Sequence, residues 1–148
     1  MKQRLILSSI AALALATAAL AHSGVKNPAV KARMDVMSAI AENMKAMGAM
    51  VKGATPYNAT VAQGTARELA EHSAKVTELF ETPETDPKSE ASPEIWADWP
   101  GFREQSDAMT KAALSLAQVD SEDAFKAGFV ALGKTCSACH KSYRIDKD

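Results

Sequence analysis

Both cysteines of the chain lie in one short stretch near its C-terminus, "CSACHKSYR", which covers residues 136–144. Cys136 and Cys139 are three residues apart, and His140 follows directly. Two thiols and an imidazole at this spacing could serve three chemistries: a dithiol redox switch, half of a zinc site, or covalent attachment of a haem. The secondary structure that contains this stretch decides which of the three chemistries is possible.

The first 21 residues have the pattern of an export signal. Lys2 and Arg4 precede an apolar run, residues 5–20, which closes on small residues before Ala21. The run is short for a membrane-spanning anchor, the alternative interpretation. We predict cleavage after Ala21, which leaves a single mature domain, residues 22–148. The leader is bacterial in type, so the predicted location is the periplasm, an oxidising compartment.

The composition of the mature chain excludes some classes of protein. Removal of Lys2 and Arg4 with the leader changes the formal net charge from −1 to −3. No basic stripe is present and only 5% of the residues are aromatic, so nucleic acid is not a predicted partner. No second apolar run is long enough to cross a membrane. A protein of this kind is expected to be exported and not membrane-spanning.

Apolar residues recur at helical spacing over four segments of the mature chain. The predicted helices run from a cap at Asn27 to Gly53, from a cap at Asn58 through Phe80, from about Phe102 to Gln118, and from a cap at Ser121 through Tyr143. Three prolines and several acids predict a loop over residues 81–93, and Pro100-Gly101 predicts a break or kink before the third helix. No strand pattern competes. The predicted fold is all-α, an antiparallel up-down-up-down four-helix bundle.

The last predicted helix carries the cysteines and favours the haem interpretation. Cys136, Cys139 and His140 project from one face within little more than one turn. A thioredoxin-like dithiol would instead sit at a helix N-terminus after a strand. Zinc would need further ligands, and the remaining histidines offer none: His72 lies within a helix and His22 at the mature terminus. The motif therefore predicts one covalently bound haem c.

Four stretches resemble the class II c-type cytochromes, the cytochrome c′ family. They are "ARMDVM" at residues 32–37, "VKG" followed by "TPY" within residues 51–57, "PEIW" at residues 93–96, and "CSACHKSYR". The resemblance covers nearly all of the mature chain. It implies a four-helix bundle that encloses one covalent haem, the architecture known for this family.

On the proximal side of the haem, the resemblance implies roles for the C-terminal stretch. Cys136 and Cys139 match the thioether anchors, and His140 matches the proximal iron ligand. Arg144 matches an arginine packed close to the proximal histidine. It also stands four residues after His140, which on a continuous helix places both on one face.

On the distal side, the resemblance implies roles for three earlier residues. Arg33 matches an arginine near the haem propionates, and Phe80 matches an aromatic position near the other face of the haem. Met37, four residues after Arg33, matches the residue opposite the iron. In one branch of the family this residue only crowds an open sixth position, whereas in the low-spin branch a methionine there binds the iron.

The sequence therefore leaves three functional hypotheses. The expected function is one-electron transfer in the periplasm, with Met37 as the sixth ligand, redox proteins as partners, and no catalytic activity. The alternative is binding of nitric oxide or carbon monoxide at a five-coordinate iron, with Met37 as a non-coordinating distal residue. The third is a dithiol oxidoreductase without haem. The resemblance also implies a second copy of the chain as a candidate partner, because family members often dimerise.

Overall fold

The computed structural model describes residues 24–145, so the predicted leader, residues 1–21, and His22 lie outside the described residues. The helices are α1 (Pro28–Val51), α2 (Ala59–Ser73), α3 (Val76–Phe80), α4 (Glu94–Ala97), α5 (Trp99–Leu116) and α6 (Glu122–Tyr143). Over this range the only β-pairing is one antiparallel bridge between Ala91 and Arg144. The prediction of an all-α chain is confirmed.

The predicted helix ends are fixed by local capping. Asn27 Oδ1 accepts hydrogen bonds from two backbone N–H groups of the first turn of α1, at 2.9 and 3.2 Å. Asn58 caps α2 and Ser121 caps α6 in the same way. Gly53 follows α1 with φ of 71°, a left-handed conformation that glycine adopts without steric cost. These caps were predicted from the sequence and are confirmed.

The four long helices pack in a closed ring around one core. In chain order, α1 packs against α2, α2 against α5, α5 against α6, and α6 returns to α1. The fully buried side chains at the centre include Met47, Leu69, Leu116 and Leu132. The up-down-up-down bundle is therefore confirmed. Within residues 24–145, no helix has the length and apolar character needed to cross a membrane.

The second predicted helix is interrupted, which corrects the prediction of one helix from Asn58 through Phe80. It ends at Ser73, and α3 starts at Val76. The hydroxyl of Ser73 bonds the Ala70 carbonyl at 2.9 Å and the Thr110 hydroxyl at 2.8 Å. A hydroxyl bonded back to its own helix bends that helix, and here it also ties the bend to α5.

The predicted break before the third helix exists, but it lies at Asp98, between α4 and α5. Its predicted position at Pro100-Gly101 is wrong, because this pair lies in the first turn of α5. Asp98 is the cap, and its Oδ1 accepts a hydrogen bond from the N–H of Gly101 at 3.2 Å. Proline is well suited to a first turn, where its missing N–H has no intrahelical partner to lose. The helix accordingly begins at Trp99 and ends at Leu116, rather than spanning residues 102–118.

Candidate haem-binding site

The three residues of the cysteine motif line one cavity beside α6. Cys136 and Cys139 are half-buried and pack against the core, whereas His140 is more exposed. All three line a cavity of about 610 Å³. This volume lies within the roughly 300–1,000 Å³ of typical small-molecule sites.

The cavity is apolar over most of its wall and polar at one end. Its apolar residues come from α1, α3, α4, α5 and α6 and include Ile40, Met44, Val76, Ile95 and Met109. Its charged residues other than His140 cluster at the connection between α3 and α4, which contributes Lys88 and Glu90. Arg144 pairs with Glu90, and Arg33 donates to backbone carbonyls of the same connection. A flat apolar macrocycle with two carboxylates at one edge suits a cavity of this character.

Burial favours the neutral forms of the two thiols and of the imidazole. Burial raises the pKa of Cys136, and burial together with the neighbouring Cys136 raises the pKa of Cys139 to about 11. His140 is exposed by area, yet enough protein surrounds its imidazole that burial, reinforced by Arg144, lowers its pKa. Reactive dithiols carry a depressed thiol pKa, so these values argue against a redox switch. A neutral imidazole is the form that binds a metal.

Met37 lies on the α1 wall of the cavity, whereas His140 lies on the α6 wall. It is half-buried and packs against the core. Met34 and Met44 line the same cavity from α1. Three flexible thioether side chains therefore contribute to the wall that α1 provides.

Arg33 is buried, with only 3% of its surface exposed, and it also lines the cavity. Its Nε donates to the carbonyl of Leu79 at 2.8 Å, and Nη1 donates to that of Glu84 at 2.9 Å. Nη2 donates to the carbonyl of Thr82. Burial lowers the pKa of Arg33, but a guanidinium stays protonated in proteins. The side chain therefore fastens the chain after α3 to α1.

Phe80 lines the cavity beside Arg33 and is nearly fully buried. The guanidinium of Arg33 lies 5.0 Å from the centre of the Phe80 ring, and the ring of Phe102 lies 5.3 Å away on another side. The backbone carbonyl of Phe80 accepts a hydrogen bond from the indole of Trp96 at 2.8 Å. These contacts give Phe80 one defined position in the cavity wall.

Arg144 lines the same cavity as His140, but not as a helical i+4 neighbour. It lies one residue beyond α6 in an extended conformation, with φ of −116° and ψ of 138°. The prediction that a continuous helix aligns the two side chains is therefore wrong. An ion pair with Glu90, at 2.7 Å, and the bridge to Ala91 hold Arg144 instead.

Sequence reasoning missed the connection between α3 and α4, residues 81–93, which we call the strap. Its Lys88, Ser89, Glu90 and Ala91 line the cavity. The sequence predicted only a loop, because the segment has no apolar periodicity. The one available signal was the set of polar side chains between three prolines, a composition that indicates turns.

Tyr143 also escaped the prediction of site residues. It lines the cavity, and its hydroxyl donates to Asp98 Oδ2 at 2.7 Å. This hydrogen bond, with burial as a lesser cause, raises the pKa of Tyr143 to about 12. The contact fixes the end of α6, one turn from His140, against the start of α5.

No other group in the described chain resembles a metal site. Across residues 24–145, no cluster of three or more His, Cys, Asp or Glu side chains could hold a metal ion. The cavity beside α6, with its thiols, imidazole and thioethers, is therefore the candidate site that remains.

Comparison with known proteins assigns the family. A family model described as Cytochrome C′ matches residues 28–144. The chain is 34% identical over 161 residues to cytochrome c′ of Rhodospirillum rubrum, covering 99% of this chain and all of that protein. It is 32% identical over 119 residues to cytochrome c-556 of Agrobacterium tumefaciens, covering 79% of this chain and 94% of the relative.

A solved structure agrees with this assignment. The nitric oxide complex of a mutant cytochrome c prime from Alcaligenes xylosoxidans superposes with a TM-score of 0.72 at 31% identity, covering 80% of this chain and 94% of that one. The expected family resemblance is confirmed. The chain belongs to the cytochrome c′ family of class II c-type cytochromes, and its cofactor is one covalently bound haem c.

Proposed function

We propose that the haem occupies the cavity beside α6. Cys136 and Cys139 form the thioether links, and His140 binds the iron from the proximal side. The support is the shared cavity, the apolar wall that surrounds the three side chains, and the lowered pKa of His140, which favours the metal-binding neutral imidazole. When bound, the haem supplies an iron centre that can change charge by one electron or bind a small gas.

We further propose that the function is binding of a small gas, nitric oxide or carbon monoxide, at an open sixth position. Met37 is the distal residue that crowds this position without binding the iron, and Phe80 is part of the pocket wall. The observation that carries the proposal is the likeness to the nitric oxide complex of a cytochrome c prime. The apolar side chains of the distal wall suit an uncharged diatomic ligand and exclude water.

The residues of the chain would control the entry of the gas to the iron and would not catalyse a reaction of it. Met37 and Met44 narrow the space on the α1 side with flexible side chains. Phe80 is held rigidly by its aromatic and cationic neighbours, so it keeps one pocket wall in place. No residue is assigned a catalytic role, and the protein acts as a haem-binding cytochrome.

The second candidate function is one-electron transfer with Met37 as the sixth ligand. One observation favours it: the Met37 side chain lines the cavity from α1 while His140 lines it from α6. A thioether ligand raises the reduction potential and leaves no open position for a gas. The partners would be periplasmic redox proteins that meet the cytochrome through small, weak interfaces.

Absorption spectra of the haem-loaded protein separate the two functions. For gas binding, the wild type is high-spin and its reduced form binds carbon monoxide rapidly. For electron transfer, the wild type is low-spin with a methionine–iron charge-transfer band that Met37→Ala removes. Met34→Ala, a neighbouring methionine of the same cavity, is the matched control and should keep the wild-type spectrum. A colourless protein with titratable thiols would reject the haem proposal itself.

We also propose export through the leader. The mature protein then begins at His22 in the periplasm, and N-terminal sequencing of the periplasmic fraction tests this. A chain that starts at Met1 in the membrane fraction would contradict it.

A second copy of the chain is proposed as a partner, and sedimentation of the purified protein reports whether the dimer forms.

A further inference from the structure

The cavity carries a net charge at one end. Apart from His140, the thiols and Tyr143, its ionisable lining residues are Arg33, Lys88, Glu90 and Arg144. Three cations and one anion give this group a net charge of +2. A haem carries two propionates, so two ionised carboxylates would match this charge. The cavity thus holds both an apolar volume and a counter-charge.

These charges meet at the strap. Lys88 and Glu90 belong to it, Arg144 is paired with Glu90 at 2.7 Å, and Arg33 donates to the carbonyls of Thr82 and Glu84 within it. The remainder of the wall is mostly apolar. Carboxylates buried against apolar residues would pay a large desolvation cost. The propionate edge of the haem should therefore face the strap.

Among the three cations, two already have partners. Arg144 is compensated by the carboxylate of Glu90. Arg33 uses three of its N–H groups on backbone carbonyls. Lys88 is exposed, and no side chain or carbonyl within residues 24–145 accepts a hydrogen bond from its ammonium group. Within these residues the Lys88 ammonium group has no carboxylate partner, so it is available to pair with a propionate.

The backbone of Lys88 is nevertheless held in place over the cavity. Its N–H donates to Asp86 Oδ1 at 2.8 Å. The other carboxylate oxygen of Asp86 accepts from the backbone N–H groups of Lys26 and Asn27, at 2.8 and 3.0 Å. Asp86 therefore ties this turn of the strap to the start of α1. A long side chain on a fixed backbone loses less freedom when it binds a ligand.

We propose that Lys88 is a haem-binding residue that pairs with a haem propionate. This assignment rests on the proposed attachment of the haem beside α6, but it does not depend on which group occupies the sixth position of the iron. It adds a residue of the strap to the proposed haem-binding residues, which otherwise come from helices or helix ends.

The test compares Lys88→Gln with Lys88→Arg and with the control Lys45→Gln. Lys45 is exposed on α1 next to Met44 but does not line the cavity. We expect the propionate bending vibration in the resonance Raman spectrum to shift in Lys88→Gln only. Loss of a nearby cation also stabilises ferric haem, so the midpoint potential falls. At a fixed potential the ratio of reduced to oxidised protein should drop roughly threefold, the effect of one exposed ion pair.

High salt should shrink this difference, since it screens exposed charges, and Lys88→Arg should behave as the wild type. The proposal is overturned if Lys88→Gln leaves the propionate vibration unchanged and shifts the potential no more than Lys45→Gln does. Thermal unfolding by circular dichroism checks that the variants are folded. Gas binding is measured separately on the wild type, so failure of the gas-binding proposal is distinguishable from failure of this one.

Discussion

Replacement of Arg33 by methionine tests whether this side chain fastens the strap to the bundle. Arg33→Met keeps most of the buried side-chain volume but removes all three hydrogen bonds to the carbonyls of Leu79, Thr82 and Glu84. It also removes the cation that packs on the ring of Phe80. The substitution therefore separates the role of hydrogen bonding from that of packing.

The expected loss of stability follows from the surroundings of the three acceptors. Hydrogen bonds from a charged donor contribute roughly 1.5–3 kcal/mol each when fully buried. Thr82 and Glu84 are exposed residues, so water can replace part of what their carbonyls lose. The guanidinium also pays a desolvation cost in the native state, which Met does not. At about 1 kcal/mol net for each bond, Arg33→Met should cost about 3 kcal/mol.

Urea unfolding followed by far-UV circular dichroism measures this loss. Arg67→Met, an exposed arginine on α2, is the matched control and should stay within about 0.5 kcal/mol of the wild type. Arg33→Lys should recover less than half of the loss, because one ammonium group cannot reproduce the planar fork. A cost below 1 kcal/mol for Arg33→Met, or full recovery by lysine, would refute this account of the strap.

Two further predictions concern the contact between α5 and α6. A methyl group at Gly101 would lie 2.2 Å from Asp98 Oδ2 and 2.6 Å from the Tyr143 hydroxyl, so Gly101→Ala should cost roughly 1–3 kcal/mol by thermal unfolding. Gly64→Ala, which meets no atom within 4 Å, should instead stabilise α2 by roughly 0.5–1 kcal/mol, and equal effects would contradict the steric argument. The hydrogen bond to Asp98 raises the pKa of Tyr143 to about 12, so the native state holds this proton more tightly than the unfolded state. The stabilisation from this hydrogen bond is complete below about pH 10 and declines as pH rises toward 12. The free energy of unfolding should therefore fall with pH over this range, and Tyr143→Phe should reduce that fall.

Much of the fold could be predicted because helix formation is local. Asn27, Asn58 and Ser121 cap helices through N–H groups two or three residues away, and those signals are visible in a short window. The error at Pro100 has the same origin. A proline marks a helix start as readily as a break, and the choice depended on Asp98 as the cap.

The sequence by itself determined the four long helices, apart from the interruption after Ser73 and the start of α5. Through "CSACHKSYR" it also determined the chemistry that one face of α6 offers. Only the tertiary structure decided what surrounds that face. Arg33 reaches carbonyls 46 to 51 residues away, and Glu90 reaches Arg144 over 54 residues. A polar segment such as the strap has no periodic pattern from which its distant contacts could be predicted. Its position therefore follows from hydrogen bonds and ion pairs that exist only once the bundle has formed.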